Sequence, residues 1–136
     1  AAESATFAFS EVKLGLVPAV ISPYVVDRIG PSAARRLFMT GERFDARAAE
    51  RLGLVDVAVP DDILDSVVAE QARQLLSSGP MATGEAKLLV EAMKSLPDDE
   101  MRRHAVAKIA ELRGSPDGQE GMSAFLEKRK PSWSKI

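Results

Sequence analysis

The stretch "FAFSEVKLGLVPAVISPYVV", residues 7–26, decides how the rest of the chain is read. Across "ATFAFS", residues 5–10, Phe7 and Phe9 alternate with small or polar residues. That period of two marks a short strand with one buried face. A lone carboxylate, Glu11, follows directly, flanked by Phe7, Phe9, Val12 and Leu14. Gly15 and Pro18 make "EVKLGLVPAV" a loop, and Ser22-Pro23 carries the cap and first-turn signal of a helix. An acid held among apolar residues at a strand end is partly desolvated, the setting in which a carboxylate serves as a general acid/base near neutrality. The plainer reading, a solvated loop acid or a cap partner, is the commoner one for an isolated Glu.

Three short helices follow. Ser22 to Gly30, Pro31 to Gly41, and a helix capped by Asp45 and stopped by Gly53 share the same start and stop grammar. "LVDVAVP", residues 54–60, puts Val55, Val57 and Val59 on one side and reads as a strand or extended segment. "DDILDSVVAEQARQLLSS" is helical, with Asp61 or Asp62 as cap and Ile63, Val67, Leu75 and Leu76 near helical spacing. Gly79-Pro80 breaks it. "MATGEAKLLVEAMKSL" places Leu88, Leu89, Ala92 and Met93 on a face, and Pro97-Asp98-Asp99 opens a helix to about Arg113. "GSPDG", residues 114–118, reads as a turn-rich linker, and "QEGMSAFLEKRK" as a last helix stopped by Pro131. There is no internal repeat and no low-complexity segment. Two strands do not make a stable sheet alone. Residues 1 to about 20 are therefore expected to form the edge of a larger sheet. The opening "AAESATFAFSE", without Met or a leader pattern, reads as if cut from the middle of a longer chain.

Composition narrows the chemistry. The 136 residues are 46% hydrophobic and 28% charged, ordinary for a globular domain with a real core. Eighteen basic against 20 acidic residues, a formal charge of −2, argue against a dedicated nucleic-acid binder. No apolar run approaches the ~20 residues of a membrane span. No Cys is present, so no disulfide framework or thiolate chemistry arises, and a cytoplasmic location is expected. One His, no Cys and scattered acids argue against a Ser-His-Asp or Cys-His centre and against a transition-metal site.

The motifs carry a resemblance. "FAFSEVKLGLVPA" resembles the "F-x-x-P-E-x-x-L-G-x-x-P-G" segment of the enoyl-CoA hydratase/isomerase (crotonase) superfamily. "FMTGERFDARAAERLGLVDVAVP" is similar to the segment that follows in that family, and "GMSAFLEKRKP" to its C-terminal segment. Three motifs in order and spacing cover nearly the whole chain. The resemblance implies an α/β, crotonase-like fold, represented by its C-terminal portion: an edge of the core sheet, then a mostly helical region. Residues 1–60 would be the C-terminal end of the core, and 61–136 a helical trimerisation and CoA-contacting region. Ala19 stands where the family usually has Gly, and "PAVISPYVV" resembles the methylglutaconyl- and isohexenylglutaconyl-CoA hydratase branch.

That resemblance assigns roles. Family members stabilise an enolate at the carbonyl of an acyl-CoA thioester, using backbone donors that would lie in a half preceding this chain. Glu11 matches one of two glutamates that activate water and move a proton. Pro18 and Ala19 match the segment lining the water and acyl site, although a plain turn before Ser22 explains them too. Val20, Ile21 and Tyr24 either border the acyl pocket or are core, and core is the better reading of each singly. Phe125 and Lys128, three residues apart on one helical face, match contacts to the adenine end of CoA bound to a neighbouring subunit. The plainer reading of Lys128, Arg129 and Lys130 is a solvated basic tail. His104 reads as a surface or subunit contact, and Met81, Met93, Met101 and Met122 as packing.

The implied activity is addition of water across a 2-enoyl-CoA double bond. No cofactor is implied, because coenzyme A is part of the substrate. The implied partners are an acyl-CoA, the missing N-terminal half, and further copies as a trimer or dimer of trimers. Neither nucleic acid nor membrane is among them. The 136 residues alone are expected to be inactive. Two alternatives stand beside this: an enoyl-CoA isomerase, with Glu11 as a proton shuttle, and a non-catalytic helical assembly module.

Overall fold

A computed structural model describes residues 1–134. Its contacts divide the chain into two compact units, Ala1–Val67 and a second from Val68 onward.

In the first unit, β1 (Thr6–Ala8) pairs antiparallel with β2 (Arg43–Asp45), with Phe7 opposite Phe44. The period-two reading of residues 5–10 thus holds for a three-residue strand. The Phe7 and Phe44 rings stack at 5.7 Å between centroids, and Phe9 meets Phe38 edge-on at 5.2 Å. Phe9, Val25, Ala34, Leu37, Phe44 and Ala49 form the buried core behind this pair. Val59 contributes only an isolated parallel bridge to Ala2, so "LVDVAVP" is not a strand of its own.

Glu11 lies not in a loop but in a 3-10 turn, Ser10–Leu14. Gly15, at φ 72°, lets the chain reverse there, and the Leu16 N–H donates to the Glu11 carbonyl at 3.1 Å. The next two expected helices form one bent element, α1 (Ser22–Thr40), interrupted where foreseen: Gly30 has φ 75° and ψ 161°, just before Pro31. Ser22 is not its cap. Ile21 precedes the helix, and the Ser22 hydroxyl donates backwards to the Ala19 carbonyl at 2.9 Å. Asp45 does cap α2 (Ala46–Arg51), accepting the Ala48 N–H at 2.7 Å. Asp61 caps nothing. It opens a 3-10 turn before α3 (Leu64–Leu76) and binds Ser4, whose hydroxyl first and N–H second pull its carboxyl below the usual range.

The second unit contains α4 (Pro80–Ser95), α5 (Asp98–Gly114) and α6 (Pro116–Leu126). "GSPDG" is no linker: Ser115 caps α6 by accepting the Gly118 N–H at 3.1 Å, and Pro116 begins the helix. Lys108 on α5 bridges Glu85 on α4 (2.9 Å) and Glu111 (3.0 Å), and these partners raise its pKa. No residue of α3, α4 or α5 is buried, and Leu75, Leu88, Val90, Val106 and Ile109 are exposed. Among the described residues, no helix is long and apolar enough to cross a membrane. No group of His, Cys, Asp and Glu among them could hold a metal ion.

Candidate active site

Phe9 is buried, and the 3-10 turn that starts after it carries Glu11. The main chain of Glu11 is engaged through its carbonyl. Its side chain is not: Oε2 is buried and has no hydrogen-bond partner among the described residues. An acceptor buried without a partner costs about 1–3 kcal/mol, so such an atom calls for an explanation.

After Gly15 the chain makes a tight turn. Pro18 is buried, Ala19 is exposed, and the Ala19 N–H donates to the Val17 carbonyl at 2.8 Å. The Ser22 N–H donates to the Pro18 carbonyl at 3.0 Å, which leads the turn into α1. The reading of Val20, Ile21 and Tyr24 as core is overturned: they are 86%, 37% and 76% exposed. Leu14, Leu16 and Val17 are exposed as well, so the carboxylate is followed by a run of open apolar side chains.

Phe125 and Lys128 belong to the second unit. Phe125 is 83% exposed in the last turn of α6. Lys128 lies beyond the helix end, with φ 54°, so the two do not share a helical face as their spacing implied. The sequence reading runs this helix to Lys130, four residues past its end at Leu126, because the stop here is a lysine rather than a glycine.

A third feature had no helical or strand signal. Arg129 grips Glu120 through two parallel bonds, 2.7 and 2.9 Å, and also donates to Glu127 at 2.7 Å. The Ser132 N–H donates to Glu120 at 2.7 Å. Held by the Arg129 guanidinium first and the Ser132 amide second, the Glu120 carboxyl falls to about 2, and Arg129 is pushed up. Trp133 donates its indole N–H to the Ser77 carbonyl at 3.2 Å. Spacings of nine and 56 residues match no local period, which is why the sequence did not announce them.

The sequence profile of the enoyl-CoA hydratase/isomerase family matches residues 1–135, and the chain belongs to that family. It is 35% identical over 137 residues to carnitinyl-CoA dehydratase of Citrobacter koseri, covering 97% of this chain and 52% of that protein. Among solved structures, an enoyl-CoA hydratase from Shewanella pealeana superposes with a TM-score of 0.90 at 44% identity, over 97% of this chain and 49% of that one. Pseudomonas aeruginosa AtuE gives 0.93 at 41% identity, over 98% and 52%. The chain spans about half the length of the curated relatives it matches, and its fold is the C-terminal portion of the crotonase fold.

Proposed function

We propose that this chain is the C-terminal part of an enoyl-CoA hydratase, with Glu11 as its general acid/base. The observation that carries the reading is the buried, unpartnered Oε2 of Glu11 beside an exposed apolar run. That arrangement fits an acyl group lying over Leu14–Val20 and a water held against the carboxylate. In the hydration direction, Glu11 takes a proton from that water as its oxygen attacks the β-carbon of the 2-enoyl thioester. The π pair moves through the α-carbon to the thioester oxygen, giving an enolate. A proton returned to the α-carbon completes the 3-hydroxyacyl product. Fixed donors at the thioester oxygen supply the largest share of such catalysis. They, and a second acid, would come from the half of the full-length relatives that this chain does not span, so the isolated chain is expected not to turn over crotonyl-CoA.

The reverse reaction uses the same groups, in keeping with the likeness to a dehydratase. Pro18 and Ala19 would line the water site, and Phe125 and Lys128 would meet the adenine end of the coenzyme. No cofactor beyond the thioester's own coenzyme A is required. The unburied helices α3 to α5 would pack in a trimer or a pair of trimers in the cytoplasm.

The test is Glu11→Gln in the full-length protein, which keeps the shape and removes the base. Loss of a positioned acid/base costs roughly 10²–10⁴ in rate, so kcat for hydration should fall by at least about a hundredfold. Affinity for a product-like 3-hydroxyacyl-CoA should stay within about threefold, because binding and chemistry separate here. An unreduced kcat removes Glu11 from the mechanism.

A further inference from the structure

The end of α6 has a form that ordinarily calls for glycine. The Lys128 N–H donates to the Phe125 carbonyl at 3.2 Å, and the Arg129 N–H to the Ala124 carbonyl at 3.0 Å. This pair of reversed bonds needs a left-handed residue just past the helix cap, a conformation glycine adopts without steric cost. Here the residue is Lys128, at φ 54°, the one non-glycine residue with positive φ among the described residues. A side chain in that conformation persists only where its surroundings enforce it.

The enforcement is visible on both sides. Glu127, before Lys128, and Glu120 both bind the Arg129 guanidinium that follows it. The Glu120 carboxylate also accepts the Ser132 N–H, so the segment after Lys128 is tied back onto α6. Trp133 anchors the far end, its ring edge 3.2 Å from where a Cβ on Gly121 would lie and its N–H on Ser77. Nothing in the backbone of this turn asks for lysine, and glycine would relieve it. What glycine lacks is the ammonium, carried on an exposed residue three positions after the exposed Phe125.

We infer that Glu120 is a positioning residue: through its fork with Arg129 it holds Lys128 in the left-handed turn that presents the ammonium to the phosphate-bearing adenine end of a coenzyme A ester. This rests on the reading of Phe125 and Lys128 as contacts of that end. Glu120 touches no substrate, and its effect on binding runs through Lys128 alone.

The experiment compares equilibrium dissociation constants of the full-length protein for acetyl-CoA and for S-acetylpantetheine, which lacks the nucleotide, with Tm alongside. Lys128→Gly should raise Tm by about 2 °C or more, since a strained residue is relieved. It should weaken acetyl-CoA roughly two- to fivefold, as for an exposed charge contact, and leave S-acetylpantetheine unchanged. Glu120→Gln should lower Tm, weaken acetyl-CoA by about the same factor, and spare S-acetylpantetheine. The double variant should bind acetyl-CoA no worse than Lys128→Gly alone, because the two residues act in series. If Glu120→Gln binds acetyl-CoA like the wild type while Lys128→Gly does not, the contact stands and the positioning role is wrong. If Lys128→Gly binds like the wild type, the contact itself fails and the positioning role with it. Equal loss of both ligands in Glu120→Gln shows general loosening and also overturns the inference.

Discussion

The 3-10 turn after β1 and the end of α6 close in the same way, with opposite residues at the critical place. In each, an N–H reaches back five residues: Leu16 to the carbonyl of Glu11, Arg129 to that of Ala124. In each, a left-handed residue makes the reversal. At the first turn it is Gly15, at φ 72°, with nothing within 4 Å of where a Cβ would stand. At the second it is Lys128, at φ 54°. On the proposed reading, the first turn needs only a backbone that reverses without strain, because the group that would act is the neighbouring Glu11. The second keeps the strained residue itself, and it alone is backed by a fork of ion pairs. Where a turn serves a neighbour, glycine is enough; where the turn's own side chain is wanted, other contacts must hold it there.

The largest effect is expected of Glu11→Gln: kcat falls by at least about a hundredfold while the turn stays intact. Next comes Gly15→Ala. No clash opposes the new methyl, so the whole cost is the left-handed backbone, about 1–2 kcal/mol of stability. Because the reversal holds the Glu11 carbonyl, kcat should fall with stability, by roughly tenfold for a misplaced group. Thermal unfolding and steady-state kinetics check both, and a variant as stable and active as the wild type would show that the turn tolerates another geometry.

A smaller effect is expected for Phe125→Ala: KM for crotonyl-CoA up several-fold, kcat within about twofold, since a contact remote from the thioester is equal in ground and transition states. A collapse of kcat at constant KM would move Phe125 away from the adenine end.

The mildest test is acid. Glu120 sits at about 2 in the folded chain against 4.5 unperturbed. A depressed carboxyl lends its stabilisation fully above the unfolded value and loses it as pH falls toward the folded one. Stability should therefore drop between about pH 4.5 and 2, and Glu120→Gln should flatten that part of the profile, read by chemical unfolding at a series of pH values.

Much of the fold was legible because its signals are local. The Phe7–Phe9 alternation, the Gly30-Pro31 break, the Asp45 cap and the Gly79-Pro80 and Pro97 boundaries all appear where the residues place them. Misreadings arose where a local signal had a distant competitor. Asp61 gave up capping for Ser4, 57 residues away, and Ser22 turned its hydroxyl back to Ala19. "GSPDG" carries turn residues, yet Ser115 and Pro116 use that chemistry to start a helix. Of the candidate site, Glu11 stood out in the sequence as a lone acid among apolar neighbours, but the 3-10 turn that holds it did not.

What the sequence determined by itself is the family and the order of the helices, since motif, cap and breaker are each written in a few neighbouring residues. The tertiary structure alone decided that Glu11 Oε2 is buried without a partner among the described residues, that Leu14, Leu16, Val17 and Val20 stay open, and that Lys128 is bent into a glycine's conformation. Burial and strain are properties of what surrounds an atom. Those surroundings come from residues such as Glu120 and Ser77, brought close by folding across spacings that no local pattern encodes.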